Sequence, residues 1–374
     1  MAIRIDENKS TRDLPKFLRF PLQFYQNKPC YVPALEMDEL QTLHRKKNPS
    51  FEHCEARYFL AYDGLKVVGR VAAIINHKHI KKWNEHYMRF GRLDFIDDPQ
   101  VVKALLDIVE NWAQERNLQA VHGPLGFTDL DREGMLIEGF NEQGTLATLY
   151  NHSYYPLHLD DLGYMKDIDW VEFELKVPKK LDPKITKAST MVLTRNNLQH
   201  LKIDNKRQLL QYAPQIFQLI NEEYSHLYGA VPLSKSEIDH YVRTYFNFVH
   251  PDFVPLIVDE HQIVVAFGVA IPSLSRALQI CQGHLLPFGW LELLRALKTN
   301  HRADLYLIAV KKRYQCLGVN LVLMDHFCRI FNQRGIQIVE SNPELETNRN
   351  VQSQWKILEK RQHKRRRCFI KYLE

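Results

Sequence analysis

Apolar positions in the first part of the chain fall into short strand-like runs and one long helix-like run. The stretch YFLAYDGLKVVGRVAAIIN, Tyr58 to Asn76, reads as two β-rich segments joined through Asp63-Gly64, a dipeptide that a tight turn favours. FGRLDFI follows as a strand. Asp98-Pro99 then supplies a helix cap and a proline suited to the first helical position, and QVVKALLDIVENWAQERN places its apolar residues at helical spacing. LQAVHGPLGF reads as another strand, so the order is hairpin, strand, helix, strand.

A proline- and lysine-rich segment around Pro178 and Pro183 separates this stretch from a second one of the same order. QLLQYAPQIFQLINEEYSHLY reads as a helix, with a second helical piece from near Ser234. VPLIVDEHQIVVAFGVAI reads as a hairpin across Asp259 to Gln262, and ADLYLIAV as a strand ending at Val310. A glycine-bearing segment and a helix through Asn332 come next, then the strand IQIVE, a helix from near Asn348 to Lys360, and a final strand CFIKYL. The two halves look like diverged copies of one architecture, which predicts domains at 1–178 and 179–374.

Composition adds limits. With 374 residues and about 100 to 200 residues per domain, two domains are expected, each with its own core. An apolar share of 45% and a charged share of 25% exclude disordered, fibrous and collagenous classes. The opening MAIRIDENKSTRDLPKF is charged and lacks the apolar core of a signal peptide, and no run of 18 apolar residues occurs, so a cytoplasmic location is expected. The six cysteines show no CxxC spacing, which points to reduced thiols. The net charge of +6 is concentrated at Lys176 to Ser189 and Lys360 to Arg367. Neither forms a basic stripe with aromatic platforms, so no nucleic acid is expected; the runs are either solvated faces or attract an acidic partner such as a phosphate-bearing cofactor, a carrier protein or an anionic bilayer.

Gly318 stands where ADLYLIAV has delivered the chain to Lys311 and a helix begins. A helix N-terminus offers unpaired N–H groups and a partial positive charge, and glycine lets a ligand approach the backbone. The residue is either a pyrophosphate-site glycine or an ordinary turn glycine. Gln315-Cys316-Leu317-Gly318-Val319-Asn320 resembles the Q/R-x-x-G-x-G/A segment by which GNAT-superfamily acyltransferases hold the pyrophosphate of acyl-coenzyme A, with Asn320 in place of the usual small residue. HGPLGF, GMLIEGF, LYNHSYYPLHLDDLGYMKDIDW, LYGAVPLSKSE, GHLLPFG and ELETN are similar to landmarks of a bacterial family of tandem-GNAT proteins that includes bacterial ceramide synthases. The resemblance implies an α/β (α+β) fold of two tandem GNAT-like domains, each a mixed, mostly antiparallel sheet flanked by helices. It implies an N-acyltransferase moving an acyl group from acyl-coenzyme A, or an acyl carrier protein, to an amine such as a long-chain sphingoid base. The donor would lie on Val310, Lys311, Arg313, Gln315, Leu317, Gly318, Val319 and Asn320. In the first half the matching strand runs into Asp97-Asp98-Pro99, whose carboxylates would repel a pyrophosphate, so that half is expected to be a degenerate copy without a cofactor loop.

Transfer to an amine needs a base, a donor to the developing oxyanion and a positioned acceptor. The candidates at the end of the fifth strand are Glu340, Glu346 and Asn348, each with a structural alternative as a strand-end carboxylate or a helix cap. Acceptor candidates are Glu222, Tyr228, His284, Tyr154 and Tyr155, where the alternatives are a solvated helix face, a structural histidine and an aromatic core. His77, His79 and His86 read as surface histidines, and no metal is expected. No GxSxG elbow occurs. Two other functions fit the same layout: a non-catalytic acyl-coenzyme A-binding protein, and an aminoacyl-tRNA-dependent peptidyltransferase-like protein. A lipid acceptor would bring peripheral contact with the inner membrane, for which Lys364 to Arg367 is the expected docking face.

Overall fold

The computed structural model describes residues 3–10, 12–246 and 248–374. They form two compact units. The first holds 1–171, 277–290 and 363–374, and the second 172–276 and 291–362.

In the first unit β1 (Arg4–Glu7), β2 (Cys54–Asp63), β3 (Lys66–Asn76), β4 (Tyr87–Phe95) and β5 (Ala120–Gly123) lie side by side. All neighbours are antiparallel except β4 and β5, and the last strand pairs antiparallel to β5, Phe369 opposite Gly123. Gly64 makes the β2–β3 turn at φ 57°, a left-handed angle open to glycine. The apolar run of β3 is continuous because both faces are covered. Val71, Ala73 and Ile75 face the helix Pro99–Glu115, whose Val101, Leu105, Val109 and Trp112 are buried there, while Ala72 and Ile74 meet Leu14, Phe17 and Leu18 of helix α1 (Leu14–Phe24). Each such aliphatic side chain contributes about 1.5–3 kcal/mol. Asp98 caps the long helix, its carboxylate accepting from Gln100 N–H at 2.8 Å, and Pro99 takes the first helical position.

The second unit is a sheet of Gln199–Leu201, Leu256–Val258, Val264–Pro272, Arg302–Val310, Ile338–Ser341 and residues 172–176. Only Arg302–Val310 and Ile338–Ser341 run parallel. Helix Val319–Gln333 packs with Val192 and Leu193 of helix Pro183–Arg195 on one core that includes Val265, Ala266 and Val310. Both sheets are thus mixed, mostly antiparallel and flanked by helices.

Three sequence expectations are corrected. The lysine-rich segment after Pro178 is a helix from Pro183, capped by Asp182 on Lys184 N–H at 2.8 Å. The expected helix to Lys360 stops at Gln354 and a short turn, and the final strand begins at Glu359. The basic run is therefore strand, and its side chains alternate: Lys364 and Arg366 are each 1% exposed, while Arg365 and Arg367 are held by Asp169 at 3.3 and 2.8 Å. A run buried or ion-paired in this way is not an open docking face. No helix among the described residues is long and apolar enough to cross a membrane.

The aromatic segment of the first unit is core. Tyr155 is fully buried, stacks on Phe95 at 4.0 Å, accepts from Phe95 N–H at 2.8 Å and lies 2.9 Å from the Tyr25 hydroxyl; Tyr154 donates to Phe95 C=O at 2.7 Å. Tyr155→Phe leaves the Phe95 N–H buried without a partner and is expected to cost about 1–3 kcal/mol, read as a lower denaturant midpoint. An unchanged midpoint would show that the hydroxyl is not structural.

Candidate active site

The second unit's site starts where two strands part. Arg302–Val310 pairs with Ile338–Ser341 only from Arg302↔Ile338 to Leu305↔Ser341, and the first strand then continues alone on that side to Val310. On its other side the register with Val264–Pro272 shifts between Val269 and Ala270, whose partners are Leu307 and Leu305, so Tyr306 is an extra, bulged residue. Asn342 follows the parting strand and donates to Tyr306 C=O at 3.1 Å. Tyr224 clasps the strand beyond the bulge, donating to Ile308 C=O at 3.0 Å.

The glycine segment leaves Val310 as a tight helical turn over Lys312–Leu317. Gly318 has φ 81° and ψ 14°, and Val319 opens the helix Val319–Gln333. A glycine is needed here for its left-handed angle. Val319, Val322 and Leu323 bury the first turns of that helix and fix the loop against the sheet. The loop's polar groups already hold carboxylates. Glu223 accepts from Lys312 N–H at 2.8 Å and from Gln315 Nε2 at 2.9 Å, Lys311 lies 3.3 Å from Glu222, and Arg313 lies 3.1 Å from Asp259. Leu317 is exposed, and Asn320 stands in the first helical turn.

Glu340 is 4% exposed, in register between Glu174 and Asp304, with Arg302 Nη2 3.9 Å away. It lies before the strands part. Glu346 is half-buried, and its carbonyl accepts from Gln352 Nε2 at 3.3 Å. Asn348 caps helix Arg349–Gln354 through Val351 N–H at 3.3 Å. The carboxylate that sequence reasoning missed is Glu344. Its Oε1 accepts from Trp355 Nε1 at 2.7 Å, and its Oε2 is buried with no hydrogen bond among the described residues. Burial pushes this carboxyl up to about 8 against the pull of the Trp355 N–H, the Lys360 charge and the Ser341 hydroxyl. It opens the segment ELETN, but no spacing marks it as a base, because its environment is made by a tryptophan eleven residues on.

Glu222 is exposed and Tyr228 half-buried, both in the second unit near the loop's sequence neighbours. His284, Tyr154 and Tyr155 belong to the first unit, where His284 Nδ1 lies 2.8 Å from Glu36. His79 is not a surface histidine: it is 1% exposed, its Nδ1 3.1 Å from Arg89. Among the described residues His122, Asp167 and Cys368 have ligand-type atoms within 4.8 Å of one another, but the Arg89 charge beside His122 opposes a cation there.

No protein-family model matches the sequence. Both units carry the mixed sheet with two parting parallel strands, and the fold is that of tandem GNAT proteins. The chain aligns with a tandem GNAT protein from the clavulanic acid biosynthesis pathway at TM-score 0.53 and 11% identity, covering 99% of this chain and 98% of the other. It aligns at TM-score 0.59 and 12% identity with a fungal GH3 β-N-acetylglucosaminidase containing a GCN5-related glucosamine N-acetyltransferase region; the match covers 99% of this chain and 38% of that protein. In sequence it is similar to the Escherichia coli protein YghO, 27% identical over 96% of this chain and 93% of that one. It is also similar to a bacterial ceramide synthase of Caulobacter vibrioides, 25% identical over 82% of this chain and 80% of that one.

Glu344 gives a pH signature. A folded-state carboxyl raised from the usual 4.5 to about 8 keeps its proton on folding, so its contribution is full below about pH 4.5 and is lost as pH rises through about 8. Stability should therefore fall between about pH 5 and pH 9, and Glu344→Gln should flatten that fall and exceed wild type at about pH 9. Parallel pH profiles of the two proteins would remove this assignment.

Proposed function

We propose that the chain transfers an acyl group from acyl-coenzyme A, or from an acyl carrier protein, to a primary amine. The observation that carries this reading is Gly318, left-handed at the start of a buried-faced helix that follows the strand Arg302–Val310. Pyrophosphate oxygens would take the N–H groups of Gly318, Val319 and Asn320 and the charges of Lys311 and Arg313, with Gln315 and Leu317 shaping the turn after Val310. The thioester then lies along the gap opened at Tyr306.

In the transfer the amine nitrogen attacks the thioester carbonyl carbon, the C–S bond breaks, and coenzyme A leaves as the thiolate. The nitrogen's proton passes to Glu344 in its ionised form and from there to the thiolate. Glu340 and Glu346 are the alternative bases, and a rate rising through about pH 8 favours Glu344. The similarity to a ceramide synthase supports a long-chain amine such as a sphingoid base as acceptor, with Glu222 and Tyr228 beside it. A second reading, binding without turnover, draws on the carboxylate of Glu223 that already occupies the Lys312 N–H.

Calorimetry with coenzyme A and mass spectrometry of amide product test both readings. Wild type should bind at one site. Gly318→Glu places a carboxylate at the anion site and should lose about 100-fold or more in affinity; Gly318→Ala, which shares the left-handed strain of about 1–2 kcal/mol without the charge, should lose much less. Glu223→Gln should bind several-fold tighter because the phosphates no longer displace an anion. Absence of binding by wild type would overturn the proposal, and binding with no amide from any long-chain amine would leave the second reading.

A further inference from the structure

Strand β4 carries an oddity in the first unit. Arg70 pairs with Asp94 and Ala72 with Gly91, so Arg92 and Leu93 together face Val71 and the strand bulges. Arg92 sits there at φ 49°, a left-handed angle that a long side chain seldom adopts, and it is only 8% exposed. Strained residues of this kind persist where surrounding structure holds them for a purpose, and bulges are common beside ligand sites. Arg92 lies at a small half-open cavity between α1 and the segment that follows it.

The cavity's ionic groups are unusual for a core. Arg70 lies 2.7 Å from Asp94, and Arg92 lies 3.0 Å from Glu39, all four buried or nearly so. Buried ion pairs seldom stabilise more than apolar residues of the same volume, so stability is a weak reason for them. Their hydrogen bonds show what is left over. Asp94 accepts from Arg70 and from the Tyr25 hydroxyl at 2.7 Å, Glu39 takes Arg92, Glu36 takes His284 at 2.8 Å, and the nearby Asp131 accepts from Phe127 N–H at 2.7 Å. Every carboxylate is engaged. Donors remain: the half-buried Arg132 guanidinium and the Tyr31 hydroxyl line the cavity and make no hydrogen bond among the described residues, and the Nη1 of Arg92 is unused. Burial alone would raise the Glu39 carboxyl, yet the charges of Arg92 and Arg132 push it down to about 2, so Glu39 is held ionised and, with Glu36 and Asp94, balances Arg70, Arg92 and Arg132 in charge. Leu18, Pro21 and Leu22 of α1 supply an apolar wall.

We propose that the first unit has a ligand site of its own at this cavity, one that takes the oxyanion end of a small amphiphilic acid on Arg132, Tyr31 and Arg92 while its apolar part lies against Leu18, Pro21 and Leu22. Planar, forked donors match carboxylates and phosphates, and those of Arg132 and Arg92, with the Tyr31 hydroxyl, are unspent. The site stands independently of the acyl-transfer reading.

Calorimetric titration of the full-length chain with octanoate, octyl phosphate and octylammonium tests it. One saturable site is expected for an anion and none for the ammonium; the preferred anion separates a carboxylate from a phosphate head group. Arg132→Gln, which removes a charge but no internal hydrogen bond, should weaken the anion at least about tenfold, and Tyr31→Phe should weaken it several-fold, with unfolding midpoints close to wild type. The proposal fails if neither anion binds saturably, if the ammonium binds as well as the anions, or if both variants keep wild-type affinity. Leu22→Asn is a third check: it should reduce affinity for octanoate more than for butyrate, and an equal loss would remove the apolar wall from the site.

Discussion

The strand Arg302–Val310 must serve two neighbours that do not agree. Its antiparallel partner follows it to Val310, while its parallel partner leaves at Ser341. A sheet strand whose hydrogen bonds stop on one side has to find other partners, and the site is largely made of those substitutes. Asn342 supplies a donor to Tyr306 and Tyr224 one to Ile308. The bulge at Tyr306 turns the strand so that the gap opens at the end where the glycine loop begins. Glu344 comes soon after the parting strand, where Trp355 packs on it and burial raises its carboxyl.

Both units set a carboxylate on a backbone N–H after their fourth strand, but at different places: on the long helix itself in the first, and on the short turn before an uncapped helix in the second. In the first unit Asp98 is part of the turn and bonds two residues ahead, at Gln100. That cap is permanent. In the second unit the carboxylate comes from Glu223, 89 residues before its N–H partner Lys312. A group held on a separate helix can withdraw without breaking the turn it contacts, so the second arrangement leaves room for exchange with another anion.

The regular elements were legible where the pattern was local. The Asp63-Gly64 hairpin and the Asp98-Pro99 helix start depend on two or three adjacent residues with fixed backbone preferences, and the glycine at 318 depends on one angle. Pro183 was read as part of a segment separating the halves, although Asp182 before it is a cap and the first helical turn tolerates proline, so the local helix signal was present. The role of Glu344 was out of reach although ELETN begins with it, because a carboxyl in a two-residue strand has no pattern and its chemistry is fixed by Trp355 packing over it. His79 misled for a related reason. Among His77, His79 and His86 only His79 is buried, a fact decided by Arg89 on a neighbouring strand rather than by the residues around it.

The final strand from Glu359 to Tyr372 contains Arg365, Arg366 and Arg367 beside Lys364, the densest run of trypsin sites in the sequence. A protease needs several residues of extended backbone free of the fold before it can cleave. Here that backbone is bonded to β5 and to Met135–Glu138, with Lys364 and Arg366 turned inward. The segment that looks easiest to cut in the unfolded chain is thus among the last that limited digestion of the native protein would reach.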